Sequence, residues 1–306
     1  MSKILFIAGL IVAASGRISP PVALAVGIAY GFSFDHPFHA KARHGSRVLL
    51  QLSVVGLGFG MNLDQLVQAG RSGFLYTAGS ITITLCLGWV LGKLLRVKPT
   101  TSYLISTGTA ICGGSAIAAI SPIIEADEEE IAVALGTIFI LNSVALLLFP
   151  LIGTELRMSQ TQFGLWSALA IHDTSSVVGA AAKFGALALA VGTTVKLARS
   201  LWIVPLSVGT AAIKKSTARI HWPWFILFFC VAAVANTYIH ALQPAYPWLK
   251  QLGVLGLTVT LYLIGTGLSM KTIRQVGPRP LLQGILLWIV VAVGSLVLIQ
   301  SGWIHL

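Results

Sequence analysis

The chain has 306 residues, of which 56% are hydrophobic and only 9% charged, with 20 lysines and arginines against nine acidic residues. Soluble domains carry roughly 25% charged residues, so this composition excludes a soluble globular fold and describes an all-α polytopic membrane protein. The formal net charge of +11 does not point to nucleic acid, because the basic residues sit in short connections between apolar runs, where they set membrane orientation.

Crossing the hydrocarbon layer takes about 20 apolar residues. Eleven segments are predicted, at approximately 4–16, 20–34, 46–63, 72–92, 101–123, 131–152, 161–182, 191–213, 222–241, 251–270 and 280–301. The first two are short and are expected to tilt or to form a re-entrant pair. Lys3 followed by the apolar run Ile4 to Ala14 also has the form of a signal peptide; a short first helix is the expectation. Cys86, Cys112 and Cys230 all lie inside apolar segments, with no disulfide framework and no CxxC metal signature. No metal and no cofactor is expected.

Strict alternation from a cytoplasmic N-terminus collects Lys3, Lys41, Arg43, Arg47, Lys93, Arg96, Lys98, Arg157, Lys214, Lys215, Arg219, Lys271, Arg274 and Arg279 on one side. The other side receives Arg17, Arg71, Lys183 and Lys250, together with the acidic run EADEEE at 125–130. The asymmetry predicts a membrane protein with its N-terminus in the cytoplasm and its C-terminus on the opposite, periplasmic or extracellular side.

An internal repeat begins at the end of segment 3. GFGMNLDQLVQAG (58–70) matches GTGLSMKTIRQVG (265–277) at a constant offset, with Gly58, Gly60, Gln68 and Gly70 falling on Gly265, Gly267, Gln275 and Gly277. The copies lie an odd number of segments apart and so run in opposite directions, as inverted repeats of secondary transporters do. The chain is therefore expected to be a single membrane domain, 1–306, with inverted repeats at approximately 20–152 and 161–301. That division pairs segment 5 with segment 10, whereas the matched glycines pair 3 with 10 and 4 with 11; the sequence leaves both pairings open.

Segment 5 carries TGTAICGGSAIAAISP (107–122). Gly108, Gly113 and Gly114 weaken a helix and Pro122 lacks a backbone donor. Broken backbone at membrane depth is tolerated only against protein or a watery cavity, and a broken helix presents free N–H groups and a positive end that attract an anion. Thr107, Thr109 and Ser115 add hydroxyls. Close packing of helices through small residues is the competing explanation. The EADEEE run reads as a solvated loop leading into segment 6, and Asn142 within that segment as a packing hydrogen bond or a ligand.

Segment 7 carries AIHDTSSVVGAA (170–181), in which His172, Asp173, Thr174, Ser175 and Ser176 interrupt an apolar run. A buried charge is costly in lipid, about 2.5–3.5 kcal/mol on insertion scales, so Asp173 is expected to face protein or water. His172 and Asp173 are candidates to carry a coupling proton; otherwise Asp173 caps a half-helix while His172 bonds to a neighbouring helix. In segment 8, Lys196 and Arg199 share a helix face and are read as attracting an anion or as snorkelling to headgroups. Segment 10, LTVTLYLIGTGLSM, is a second candidate for an interrupted helix and contributes Thr266.

GTAICGGSAIAAISPII, with LLQLSVVGLGFGMNL, IHDTSSVVGAA and VKLARSLWIVPL, resembles the YeiH-type family of sulfate exporters, over nearly the whole chain. The family is grouped with the bile acid–sodium symporter and sodium–proton antiporter folds. The resemblance implies two inverted repeats with discontinuous helices crossing near the membrane centre. Its motif carries over onto Thr109, Cys112, Gly113, Gly114, Ser115 and His172; the family's glutamate after that histidine is Asp173 here.

The function expected is a secondary transporter of a small anion, sulfate or sulfonate-like, working by alternating access. The substrate site is expected at Thr109, Cys112, Gly113, Gly114, Ser115, Thr174, Ser175, Ser176, Lys196, Arg199 and Thr266, with His172 and Asp173 coupling protons. Expected partners are the anion and membrane lipids, without nucleic acid, and a homodimer is left open. The alternatives are an intramembrane serine hydrolase using Ser115 and His172, and a channel or structural subunit. No GxxxxGK[ST] loop occurs, which argues against an ATP-driven pump.

Overall fold

The computed structural model describes residues 2–18, 20–34, 39–60, 63–214, 224–267 and 276–304, and these are all-helical. In chain order the helices are α1 (Ser2–Ala14), α2 (Pro20–Ser33), α3 (His39–Gly58), α4 (Leu63–Leu94), α5 (Pro99–Ala110), α6 (Gly114–Ile120), α7 (Glu128–Glu155), α8 (Gln160–Ala170), α9 (Thr174–Phe184), α10 (Ala186–Ser200), α11 (Ile203–Lys214), α12 (Trp224–Tyr238), α13 (Tyr246–Gly267) and α14 (Pro278–Gln300). Among the described residues five stretches are long and apolar enough to cross a membrane: Tyr76–Leu94, Glu129–Glu155, Ala186–Lys214, Tyr246–Gly267 and Pro278–Gln300. Shorter apolar helices cover Ser2–Ala14, Val22–Ser33, Val48–Gly58 and Leu227–Tyr238. The chain is a polytopic membrane protein, as its composition requires.

The residues form two compact units. The first comprises Met1–Val67 with Pro223–Met270. Its hub is α13. Helix α3 lies antiparallel to it: Gly60 lies against Lys250, Gly56 against Gly253, and Ser53 against Gly256. The approach is close enough that a methyl group on Gly56 would sit 3.0 Å from Gly253 Cα, the small-residue contact that lets backbones touch where lipid supplies no hydrophobic drive. Of the matched glycines of the repeat, Gly58 and Gly265 make equivalent close contacts. A methyl on Gly58 would meet Phe229 O of α12 at 2.7 Å, and one on Gly265 would meet Leu24 O of α2 at 2.6 Å.

Helix α1 is built into this unit. Phe6 lies 5.9 Å from both the Tyr30 and the Tyr262 rings. The Tyr262 hydroxyl donates to Phe6 O at 3.0 Å and the Tyr30 hydroxyl to Ser2 O at 3.1 Å. Helix α13 runs unbroken through Gly267, which corrects the expectation of an interruption in segment 10. Its polar GTG stretch serves packing, with Gly265 on α2 and the Thr266 hydroxyl donating to Leu263 O. Leu268 to Met270 lie outside the described residues, as do Gln275 of the repeat and the basic residues Lys215, Arg219, Lys271 and Arg274.

The second unit comprises Gln68–Trp222 with Lys271–Leu306. Here the two expected polar breaks are real, at Ile111–Gly113 and Ile171–Asp173, and each turns the chain back instead of carrying it across. Ile117 of α6 packs against Gly108 of α5. Ile117, Ile120 and Ile123 share one apolar cluster with Leu104 and Ile105 of α5 and with Leu135 and Ile138 of α7. Lys98 and Thr101, at the start of α5, line the same cleft as Glu129 and Glu130 at the start of α7. So α5 and α6 form a hairpin that enters and leaves at one end of the unit.

Helices α8 and α9 form the second hairpin, at the other end of α7. Gln160 at its start lies against Gly185 at its finish and accepts from Leu187 N at 3.0 Å. Phe163 stacks on Phe184 with ring centroids 3.9 Å apart, and both pack on Gly153. The acidic run therefore lies at the same end as Arg96 and Lys98, not at the opposite one as strict alternation predicts. Within this unit α14 ties the parts together. Gln283 donates to Gly88 O at 3.0 Å and to the Ser102 hydroxyl at 2.8 Å, and Trp166 donates to Ala292 O at 2.9 Å.

Candidate functional site at the hairpin tips

The two tips meet. A methyl group on Gly113 would lie 3.4 Å from Asp173 Cβ and 3.5 Å from His172 O. Gly113 has φ 64° and ψ −120°, a conformation that glycine alone adopts without strain. That backbone allows the chain to leave α5 and start α6 within three residues.

Ending two helices inside apolar surroundings leaves their last carbonyls without partners. Two cations on α10 supply them. Arg199 Nε donates to Ala110 O at 2.7 Å and Nη1 to Leu169 O at 2.8 Å. Lys196 Nζ donates to Ile171 O at 2.7 Å and, more weakly, to Ala168 O at 3.4 Å. Ser167 O is taken by Ile171 N. Both side chains are fully buried, which rules out snorkelling. Cations at helix C-termini also complement the helix dipole. The principal partners of Lys196 and Arg199 are therefore backbone carbonyls, a structural role that the sequence reading of an anion attractor did not include, and Arg199 keeps one nitrogen, Nη2, unpartnered.

The start of α9 is capped by Asp173. Its Oδ1 accepts from Ser176 N at 3.0 Å and its Oδ2 from the Ser175 hydroxyl at 2.5 Å, which is the capping role read as an alternative from the sequence. Asn142 of α7 accepts from His172 N at 3.0 Å and fixes the second tip to a long helix. Thr174, Ser175 and Ser176 are buried, as is Cys112, which packs with Ala116 and Ile203.

Around this junction lie buried polar atoms with no hydrogen-bond partner: Thr109 Oγ1, Asn142 Nδ2, both ring nitrogens of His172, Thr193 Oγ1 and Arg199 Nη2. Buried polar groups are nearly always paired, so a cluster of orphans signals a missing partner. Asn142 Nδ2 and Arg199 Nη2 can only donate, the hydroxyls can donate, and a histidine ring offers at least one N–H. The junction is therefore equipped for a ligand rich in acceptors.

Of the residues expected at a site, the structure brings together Thr109, Cys112, Gly113, His172, Asp173, Thr174, Ser175, Ser176, Lys196 and Arg199. Gly114 is half-buried beside them. Ser115 is exposed, while the His172 ring nitrogens are buried without partners, so no nucleophile–base pair joins the two. Thr266 belongs to the other unit. Sequence reasoning undervalued Asn142 and missed Thr193; the signal for both was a polar residue on an apolar helix next to the polar breaks. Among the described residues no group of histidine, cysteine and carboxylate side chains could hold a metal ion.

The profile of the family described as Conserved hypothetical protein 698 matches residues 4–284. A UPF0324 membrane protein of Porphyromonas gingivalis is 51% identical over 289 residues, covering 92% of this chain and 87% of the relative. One from Bacteroides thetaiotaomicron is 48% identical, covering 92% and 86%. Another from Bdellovibrio bacteriovorus is 48% identical, covering 94% and 91%. No solved structure matches the chain.

Proposed function

We propose that this chain, which belongs to the conserved hypothetical protein 698 family of UPF0324 membrane proteins, is a secondary transporter of a small anion, sulfate or sulfonate-like. The observation that carries the reading is the donor-rich set of unpartnered buried atoms where the two hairpin tips meet, Arg199 Nη2 and Asn142 Nδ2 above all. Non-helical backbone at membrane depth is tolerated only where it is buried in protein or lines a watery cavity, and discontinuous helices at the membrane centre are where secondary transporters bind. The sulfate assignment comes from the resemblance of the glycine motif to the YeiH-type exporters.

In this reading Thr109, Thr193, Asn142 and Arg199 face the anion. Asp173 is committed to its cap, so coupling to protons falls to His172. The glycine match that relates the end of α3 to the end of α13 is taken as a trace of the inverted repeat. In this reading, as the resemblance to the YeiH-type family implies, the chain sits in a bacterial inner membrane. Lys93, Arg96, Lys98, Lys214 and Arg279 face the cytoplasm in this reading.

Reconstituted protein is expected to take up labelled sulfate or a small organic sulfonate into liposomes, with a rate that responds to an imposed pH gradient. Absence of flux across a panel of oxyanions, from protein that remains folded, would contradict the reading.

A further inference from the structure

A second feature of the hairpin unit is a cleft of about 230 Å³ at its cytoplasm-assigned end. Three membrane-spanning stretches, Tyr76–Leu94, Glu129–Glu155 and Pro278–Gln300, begin or end beside it, which sets it at headgroup depth. Trp89, exposed at the same end, carries Lys93 Nζ 3.9 Å over its ring, an aromatic–cation pair typical of the membrane interface.

The lining is lopsided. Arg96 and Lys98 from the α4–α5 connection and Arg279 from the first turn of α14 supply three cations, against Glu129 and Glu130. Glu130 is engaged, since its Oε2 accepts from Asp127 N at 3.2 Å. Two helices, α5 and α14, start at the cleft with no side-chain cap on their first turn. Their dipoles add to the positive field. Thr101 lines the cleft although it is only 4% exposed, and its hydroxyl has no hydrogen-bond partner among the described residues. A buried hydroxyl of this kind, ringed by cations and uncapped helix starts, has the chemistry of a phosphate seat.

We propose that this cleft binds the phosphate of an anionic phospholipid headgroup, of the phosphatidylglycerol type. Thr101 donates to a phosphate oxygen, Arg96 and Arg279 hold the charge, and Lys98 closes the rim. Headgroup depth favours a lipid over free phosphate. The inference does not rest on the transport reading.

The test is the thermal unfolding midpoint of the purified full-length protein, titrated with phosphatidylglycerol, phosphatidylcholine or inorganic phosphate. The wild type, Thr101→Val and the exposed double variant Arg96→Gln/Arg279→Gln are compared. A saturable rise with phosphatidylglycerol is expected, absent with phosphatidylcholine and inorganic phosphate. The apparent affinity should weaken about fivefold for each cation removed, and measurably for Thr101→Val. An equal response in wild type and variants overturns the site. An equal response to phosphatidylcholine overturns the anionic headgroup, and an equal response to inorganic phosphate overturns the lipid.

Discussion

Arg199 Nε stands 2.7 Å from Ala110 O, the last carbonyl of the first hairpin's inbound helix. Through Nη1 the same guanidinium reaches Leu169 O in the second hairpin at 2.8 Å. One planar group thus terminates two helices that arrive from opposite ends of the unit. The two tips are held as one body, with Lys196 completing the second C-terminus.

Arg199→Ala should therefore cost more than an ordinary buried truncation. It leaves two carbonyls in an apolar setting, and losing charge-assisted partners costs about 1–3 kcal/mol per group. Loss of stability of about 2–6 kcal/mol is expected for the two carbonyls together, read from unfolding of the detergent-solubilised protein. Arg199→Lys should recover only part of it, because an ammonium cannot reproduce the fork. Full recovery by lysine would contradict the bridging role.

Gly113→Ala tests the turn. A Cβ there would sit 3.1 Å from Ile138 Cγ2, on a backbone with φ 64°. Strain of about 1–3 kcal/mol is expected, together with loss of flux, since the tip and the ligand donors move with it. Wild-type flux from Gly113→Ala would show that the tip geometry is not used.

Asp173 and His172 separate by substitution. Asp173→Asn keeps an oxygen that can accept from Ser176 N, whereas Asp173→Ala removes the cap, at about 0.5–2 kcal/mol. The account expects Asp173→Asn to retain folding and most of the flux. His172→Gln should retain folding but lose the response to a pH gradient. Loss of that response in Asp173→Asn, with His172→Gln unaffected, would reverse the assignment. Measurement of anion uptake at two imposed gradients decides between them.

Much of this was legible before any coordinates. Helix positions followed from apolar runs, and the breaks at Gly113 and at His172–Asp173 followed from polar residues that lipid does not tolerate. The direction of the chain after each break was not legible. Residues 101–123 are long enough to cross once or to go halfway in and return, and hydropathy is the same for both. The packing of Ile117, Ile120 and Ile123 back onto Leu104 and Ile105 decides it. The carbonyl partners of Lys196 and Arg199 were not legible for a related reason: those carbonyls are left free only because the hairpins end mid-unit. The glycines of α13 misled, since Gly265 marks a helix crossing and not a break.

Sidedness of the hairpin ends tests the central claim most directly. In a background with Cys86, Cys112 and Cys230 replaced, single cysteines at Lys98, Glu125, Arg157 and Lys183 are labelled with a membrane-impermeant maleimide in oriented vesicles. Two re-entrant hairpins predict that Lys98→Cys and Glu125→Cys label from one face, and Arg157→Cys and Lys183→Cys from the other. Labelling of Lys98→Cys and Glu125→Cys from opposite faces would mean that the glycine-broken segment crosses the membrane, and the meeting of two tips around Arg199 would be lost.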